Sequence, residues 1–367
     1  MPVEFVGGLF PRNQLAPRAA YGATIDLDYL RDLARAHEQA DFDRVLIANG
    51  GGDPIILAAY AAAQTEKLGF MLAHRPALVA PVWAARTYAT LDQTTKGRIR
   101  LHAVTGYAAE PEYGETEIDK ASRYERAGEY LDIVRRTWTS DEPFDYDGKY
   151  FQVKNAKSPI RPYQAPHVPI SVGGSSDGAY RIAVKYADLY ALWAEPLADV
   201  ATRIATLKSF ADIEGVPAPR VSMSVRLIIG ATEELAWQKA RGIAATLEKN
   251  YKVAPRIGRS GGAERLLAVA EKGERHDTAL WFGTATAVEG SHDSTSLVGT
   301  PDTIIAALLA YYDIGVTTFL SRGYDPLYDA VDYGRYIISA VREEVRKRDQ
   351  QRAAQGQKEI RRVAAAA

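Results

Sequence analysis

The chain has 367 residues, 47% hydrophobic and 25% charged, the mix of a globular protein rather than a disordered or fibrous one. Forty-five Lys and Arg against 46 Asp and Glu leave a formal charge of -1, so the electrostatic pull that a basic domain exerts on nucleic acid or a membrane surface is missing. Cysteine is absent and only 6 histidines occur, none in an H-E-x-x-H or H-x-H cluster. That excludes disulfides, thiolate metal sites and a Cys nucleophile, and argues against any metal centre.

At roughly 150 residues per domain the length suggests two domains, but the pattern along the chain argues for one. Short apolar or β-branched runs alternate with longer segments of helical period. The pattern predicts strands at 3–9, 44–49, 68–74, 98–105, 168–173, 188–193, 221–229 and 316–321. Helices are expected at 27–40, 54–64, 81–95, 120–138, 176–186, 197–213, 232–247 and 301–314, with a last one from about 327. Eight strands each followed by a helix is the count of a (β/α)8 TIM barrel of the α/β class. An open doubly wound sheet has about six strands and an early G-x-G-x-x-G turn, which this chain lacks. The expectation is one barrel unit over 1–350 and a polar, then Ala-rich, tail over 351–367.

Three stretches interrupt the alternation. Residues 106–119 and 139–167 are rich in Gly, Pro, Tyr and Asp, and 143–153 reads as a hairpin turning at Asp147-Gly148. Residues 248–298 form a Gly-rich insertion between the seventh and eighth strands, either a lid over the barrel end or a connection with no role. No apolar run reaches the ~18 residues of a membrane span. The opening Met1-Pro2-Val3-Glu4-Phe5 lacks the pattern of a signal peptide, so a cytoplasmic protein is expected.

Barrel chemistry comes from the C-terminal ends of the strands. Along the seventh strand Val221, Met223, Val225, Leu227 and Ile229 are apolar, and the alternate set is Ser222, Ser224, Arg226, Ile228 and Gly230. A side-chain period of two turns the first set toward the helices and the second toward the barrel axis. An inward guanidinium needs a counter-charge, so Arg226 serves either a structural ion pair or an anionic ligand. Gly174, Ser175 and Ser176 precede the helix expected after strand five. There the glycine admits close backbone approach and the serines add donors at a positive helix end, as a phosphate cradle or merely as a cap. His102 and Thr105 near the fourth strand's end, and Trp193 and Tyr324 at later strand ends, are further candidates. His102 is either a hydrogen-bonded core residue or a site residue, and Trp193 either packing or pocket wall.

Taken together, these residues resemble the bacterial luciferase-like flavin monooxygenases. The run Ala84-Ala85-Arg86 to Ala89-Thr90-Leu91-Asp92, then Lys96-Gly97-Arg98, Ala103 to Gly106, Arg123-Tyr124-Glu125, Gly173 to Asp177 and Asp188-Leu189-Tyr190 follow that family's order. Within it, Trp193-Ala194-Glu195-Pro196, Arg226, Trp281, Leu297-Val298-Gly299 and Ser321-Arg322-Gly323-Tyr324 are similar to motifs of the alkanesulfonate monooxygenases. The likeness covers nearly the whole chain and leaves out Arg352–Ala367.

The resemblance implies a (β/α)8 barrel that takes FMN, as FMNH2, from a separate NAD(P)H-dependent flavin reductase. With O2 it would oxygenate an alkanesulfonate or related organosulfur compound, releasing sulfite and an aldehyde. It implies further that Tyr124, Gly174, Ser175 and Ser176 hold the FMN phosphate, that His102 and Thr105 lie by the flavin ring, and that Arg226, Tyr324 and Trp193 line the substrate pocket. A homodimer or homotetramer is expected on the same ground. The chain departs from the subgroup at three places. Ile228 stands where a His is usual, Ala287-Val288-Glu289-Gly290 lacks the insertion's Arg, and Gly51-Gly52 replaces a Cys. Arg256, Arg259 or His292 are candidates to supply the missing cation. The departures admit a sulfone or a non-sulfur substrate, an F420-dependent oxidoreductase, or a barrel that binds flavin without turnover.

Overall fold

The computed structural model describes residues 3–12, 25–48, 51–76, 78–105, 114, 118–253, 261–290 and 295–366, with the side chains of the last helix as far as Gln355. In chain order the elements begin with β1 (Glu4–Gly8), α1 (Leu27–Gln39), β2 (Arg44–Ile47), α2 (Pro54–Ala62), β3 (Gly69–His74), α3 (Pro81–Thr94), β4 (Ile99–Ala103) and α4 (Lys120–Thr139). A hairpin of β5 (Phe144–Asp147) and β6 (Gln152–Ala156) follows, then β7 (Ile170–Gly173), α5 (Asp177–Tyr186), β8 (Leu189–Trp193), α6 (Leu197–Glu214) and β9 (Arg220–Ile229). The insertion contains α7 (Glu233–Val253), α8 (Gly261–Ala270), β10 (Arg275–His276), β11 (Leu280–Trp281), α9 (Gly283–Ala287) and β12 (Ser296–Gly299). The chain closes with α10 (Pro301–Asp313), β13 (Val316–Arg322), α11 (Pro326–Tyr333), a π-helical turn at Gly334–Ile338 and α12 (Ser339–Ala366).

Parallel pairing runs β1-β2-β3-β4-β7-β8-β9-β13, and β13 pairs back onto β1, so the expected (β/α)8 barrel is closed. The helices start where the sequence supplies caps. Asp53 accepts from the N–H of Ile55 at 2.8 Å with Pro54 in the first turn, Asp119 accepts from Ala121 at 2.9 Å, and Ser176 accepts from Ala179 at 3.4 Å. The outward faces of the strands and the inner faces of the helices form one large apolar core that includes Val221, Met223, Val225 and Leu227, the face predicted from the period of two.

The lumen is layered. At its floor Glu4 accepts from Arg100 at 2.9 and 3.0 Å, from Arg44 at 2.9 Å and from Thr318 at 3.1 Å. Burial raises the Glu4 carboxyl's pKa, but the three guanidinium groups of Arg100, Arg44 and Arg220 outweigh it and bring the value down to about 2. Above the floor Val6, Met71 and Leu320, with Leu46, form an apolar plug. The longer polar side chains His102 and Arg226 lie beyond it, toward the C-terminal mouth.

Within residues 248–298, α7 runs on to Val253, two more helices follow and β12 joins β9 in parallel, and one expectation about β9 needs correction. Pairing of β9 with β8 and β13 ends at Ser224 and Arg226, and from Arg226 to Ile229 its partner is β12. The strand thus outruns the barrel wall, and Ile228 does not face the axis. It lies fully buried in a separate apolar cluster with Ala236, Ala240, Trp281 and Val298. Beyond residue 350 the backbone continues α12 through Ala366. Helix-forming Gln, Arg, Lys, Glu and Ala dominate there.

Candidate functional site

The mouth is built from two sides. On one, β4 turns His102 into the lumen on the face of Arg100, and its Nδ1 shares a hydrogen bond with Ser171 Oγ at 3.0 Å. Burial, helped by the Arg100 charge, pushes the imidazole's pKa down to about 4, so His102 is neutral at pH 7. Just past the strand, Thr105 is buried, and its Oγ1 makes no hydrogen bond among the described residues. A buried hydroxyl left in this way is a ready partner for a bound polar group.

The loop after β7 lies beside them. Gly174 has φ +130, in the region that favours glycine, and a Cβ there would come within 2.7 Å of Tyr124 Oη and 2.8 Å of Ala179 Cβ. Tyr124, from α4, is buried directly against this loop, and Tyr190 donates its hydroxyl to the Gly174 carbonyl. Ser176 caps α5, which leaves Ser175 at the loop's outer edge. Arg265, from α8 of the insertion, donates to Ser175 Oγ and holds the buried Glu195 carboxylate at 3.2 Å. Arg203 grips the other oxygen of Glu195 at 2.6 Å. The loop therefore combines a helix N-terminus, hydroxyl donors and a cation, the donor set a phosphate monoester needs.

On the opposite side, Arg226 projects from β9 on the face of Ser222 and Ser224 and is 5% exposed. Its register partner on β13 is Arg322, and Trp193 at the end of β8 is in register with Ser224. Tyr324, just past β13, packs against the Ile228–Trp281–Val298 cluster. The turn holding it is fixed by Asp329, whose carboxylate accepts the backbone N–H of Asp325 at 2.8 Å and also that of Tyr324, with Lys239 at 3.5 Å. The fold thus gathers Tyr124, Gly174, Ser175 and Ser176 on one side of the mouth, with His102 near the end of β4 and Thr105 just past it. It sets Arg226 and Tyr324 on the other, and Trp193 stands on the intervening strand.

Sequence reasoning missed Arg265 and Arg322 as site residues. Arg322 carried a signal, since Thr318, Leu320 and Arg322 share the period of the lumen face. Arg265 carried none, because only the folded insertion brings it to Ser175. Arg256, Arg259 and His292, the candidates for a replacement cation, lie outside the described residues. Among the described residues no group of His, Asp or Glu could hold a metal ion, and no helix is long and apolar enough to cross a membrane.

Comparison with known proteins agrees with the barrel fold. The chain matches the luciferase-like monooxygenase family over residues 6–318 and belongs to it. Family membership supports an oxidoreductase of the monooxygenase type. Among solved structures it is similar to an EDTA monooxygenase from Chelativorans sp. BNC1, with 19% identity, 94% of each chain covered and a TM-score of 0.75. A type II Baeyer–Villiger monooxygenase from Pseudomonas putida, in complex with FMN, shares 19% identity over 92% of this chain and 96% of its own, with a TM-score of 0.66. A coenzyme F420-dependent secondary alcohol dehydrogenase shares 16% identity over 92% of this chain and 98% of its own, with a TM-score of 0.67. At these identities the likenesses establish the fold.

Proposed function

We propose that this protein is the oxygenating component of a two-component system, using FMNH2 from an NAD(P)H-dependent flavin reductase and O2 to oxygenate an alkanesulfonate or a related organosulfur anion. The observation that carries the reading is Arg226, a guanidinium buried on the lumen face at the catalytic end of the barrel. A sulfonate is a permanent anion with three acceptor oxygens, matched by a guanidinium fork. The residues fit FMN. The Gly174–Ser176 loop with Tyr124 and Arg265 suits its phosphate, and neutral His102 and the unsatisfied Thr105 hydroxyl suit the polar edge of its ring. Reduced flavin, when bound, supplies the activation of O2 and the oxygen transfer.

The chain's own groups bind, orient and exclude water. Arg226 holds the substrate anion and balances negative charge in a dry mouth, where each charge-assisted hydrogen bond is worth about 1.5–3 kcal/mol. Tyr324 offers a hydroxyl beside it, and Trp193 shapes the wall between flavin and substrate. In this proposal the protein works in the cytoplasm as a homodimer or homotetramer, with residues 1–350 as one catalytic unit. A second reading, a neutral sulfone, is favoured by Ile228: its apolar cluster with Trp281 removes a polar donor from the pocket's neighbourhood.

The test combines purified protein, a flavin reductase, NADH, FMN and a panel of alkanesulfonates and sulfones, reading sulfite and oxygen uptake. Sulfite release above the reductase background with sulfonates supports the proposal, and oxygenation of sulfones alone supports the second reading. Turnover under anaerobic conditions with reduced F420 would overturn both.

A further inference from the structure

Resting on the reading of Arg226 as the seat of a substrate anion, we propose that Arg322 is a second substrate cation and that the preferred substrate carries two anionic groups. Arg226 and Arg322 are register partners on neighbouring strands, so their side chains leave the same face of the sheet. That face is the lumen. Two and four residues before Arg322, Leu320 packs in the apolar plug with Val6 and Met71, and Thr318 donates to Glu4 at 3.1 Å.

The path of the Arg322 side chain is defined by strand one. A Cβ on Gly8 would lie 3.0 Å from the Phe10 ring and 3.5 Å from Arg322 Cδ, so the ring packs closely on the bare end of β1 and the arginine's stem passes beside it in ordinary contact. The guanidinium carbon stands 5.4 Å from the centroid of the Phe10 ring, which braces it by cation–π attraction. Arg226 is buried and Arg322 half-buried, giving one deep and one rim cation on the same wall. Two guanidinium groups rooted on neighbouring strands at one mouth raise the local potential and favour a doubly charged guest over a singly charged one. The insertion side of the mouth is backed by the buried apolar cluster of Ile228, Trp281 and Val298, so the second anionic group belongs on the strand-one side with Arg322. The chemical class is a short organosulfonate with a second sulfonate or a carboxylate two or three carbons away.

Calorimetric titration of the FMN-loaded protein with ethanesulfonate and with ethane-1,2-disulfonate tests this. The wild type should bind the disulfonate about tenfold more tightly or better. Arg322→Gln should erase that preference and leave ethanesulfonate affinity within about twofold, Arg322→Lys should keep most of it, and Arg226→Gln should weaken both probes. Equal affinity for the two probes in the wild type, or an equal loss of both in Arg322→Gln, would overturn the second-cation role while leaving Arg226 as the anion seat. No binding of ethanesulfonate to the wild type would remove the seat itself, and this inference with it.

Discussion

Replacing Arg265 by alanine should weaken FMN binding and spare riboflavin. Arg265 reaches Ser175 Oγ from the insertion while its Nε holds Glu195 at 3.2 Å, so its guanidinium is already aimed at the edge of the phosphate loop. A charge-assisted hydrogen bond to phosphate is worth about 1.5–3 kcal/mol. The side chain is 32% exposed, so solvent screening favours the lower end, about 1.5 kcal/mol and roughly tenfold in Kd. The variant should fold, because the buried Glu195 keeps Arg203 at 2.6 Å as counter-charge. Flavin fluorescence titrations with FMN and with riboflavin, on wild type and Arg265→Ala, form a cycle that isolates the phosphate. A tenfold loss confined to FMN is the expected result. Equal losses for both flavins, or no loss for either, would refute the assignment.

Three further outcomes follow from the same geometry. Ser175→Ala combined with Tyr124→Phe should weaken FMN affinity in the same titration, and unchanged affinity would remove the loop from the phosphate site. Glu4→Gln should lower stability by about 3–5 kcal/mol in urea unfolding, since it leaves the buried Arg100 without its carboxylate. The depressed Glu4 pKa, about 2 against 4.5, corresponds to about 3 kcal/mol that is present above pH 4.5 and lost as pH falls toward 2. A variant as stable as wild type at pH 7 would contradict the floor network. Burial holds the pKa of His37, His74 and His102 near 4 against an ordinary 6.5, so the unfolded chain takes up protons first. Their contribution to stability is complete above pH 6.5 and falls as pH drops toward 4, by up to about 3 kcal/mol each. His37→Gln should therefore flatten the decline in unfolding midpoint between pH 7 and 5, and an unchanged slope would argue against the cause.

The barrel was legible because each strand is a short apolar run followed by a capped helical segment, and nothing in the tertiary structure overrides that. Asp53-Pro54 and Ser176 mark helix starts in the sequence and in the fold alike. Arg226 was legible for the same reason: a period of two fixes its face once the strand is known. The same rule failed two residues later at Ile228, because periodicity says which side a residue takes but not where the barrel wall ends. The short helices inside the insertion were not legible, because Gly261-Gly262 at the start of α8 and Gly283 at the start of α9 read locally as loop signals. Arg265 shows the limit plainly. Its link to Glu195 joins residues 70 apart in sequence, and no local pattern encodes such a meeting.

In the proposed function Arg226 faces a flavin seat at the mouth of the barrel. A crystal structure with FMN soaked in tests it most directly. The expected result is the phosphate at Ser175 and Ser176, the ring against His102 and Thr105, and the Arg226 guanidinium facing the ring. Flavin bound elsewhere, or an Arg226 side chain turned away from the ring, would contradict it.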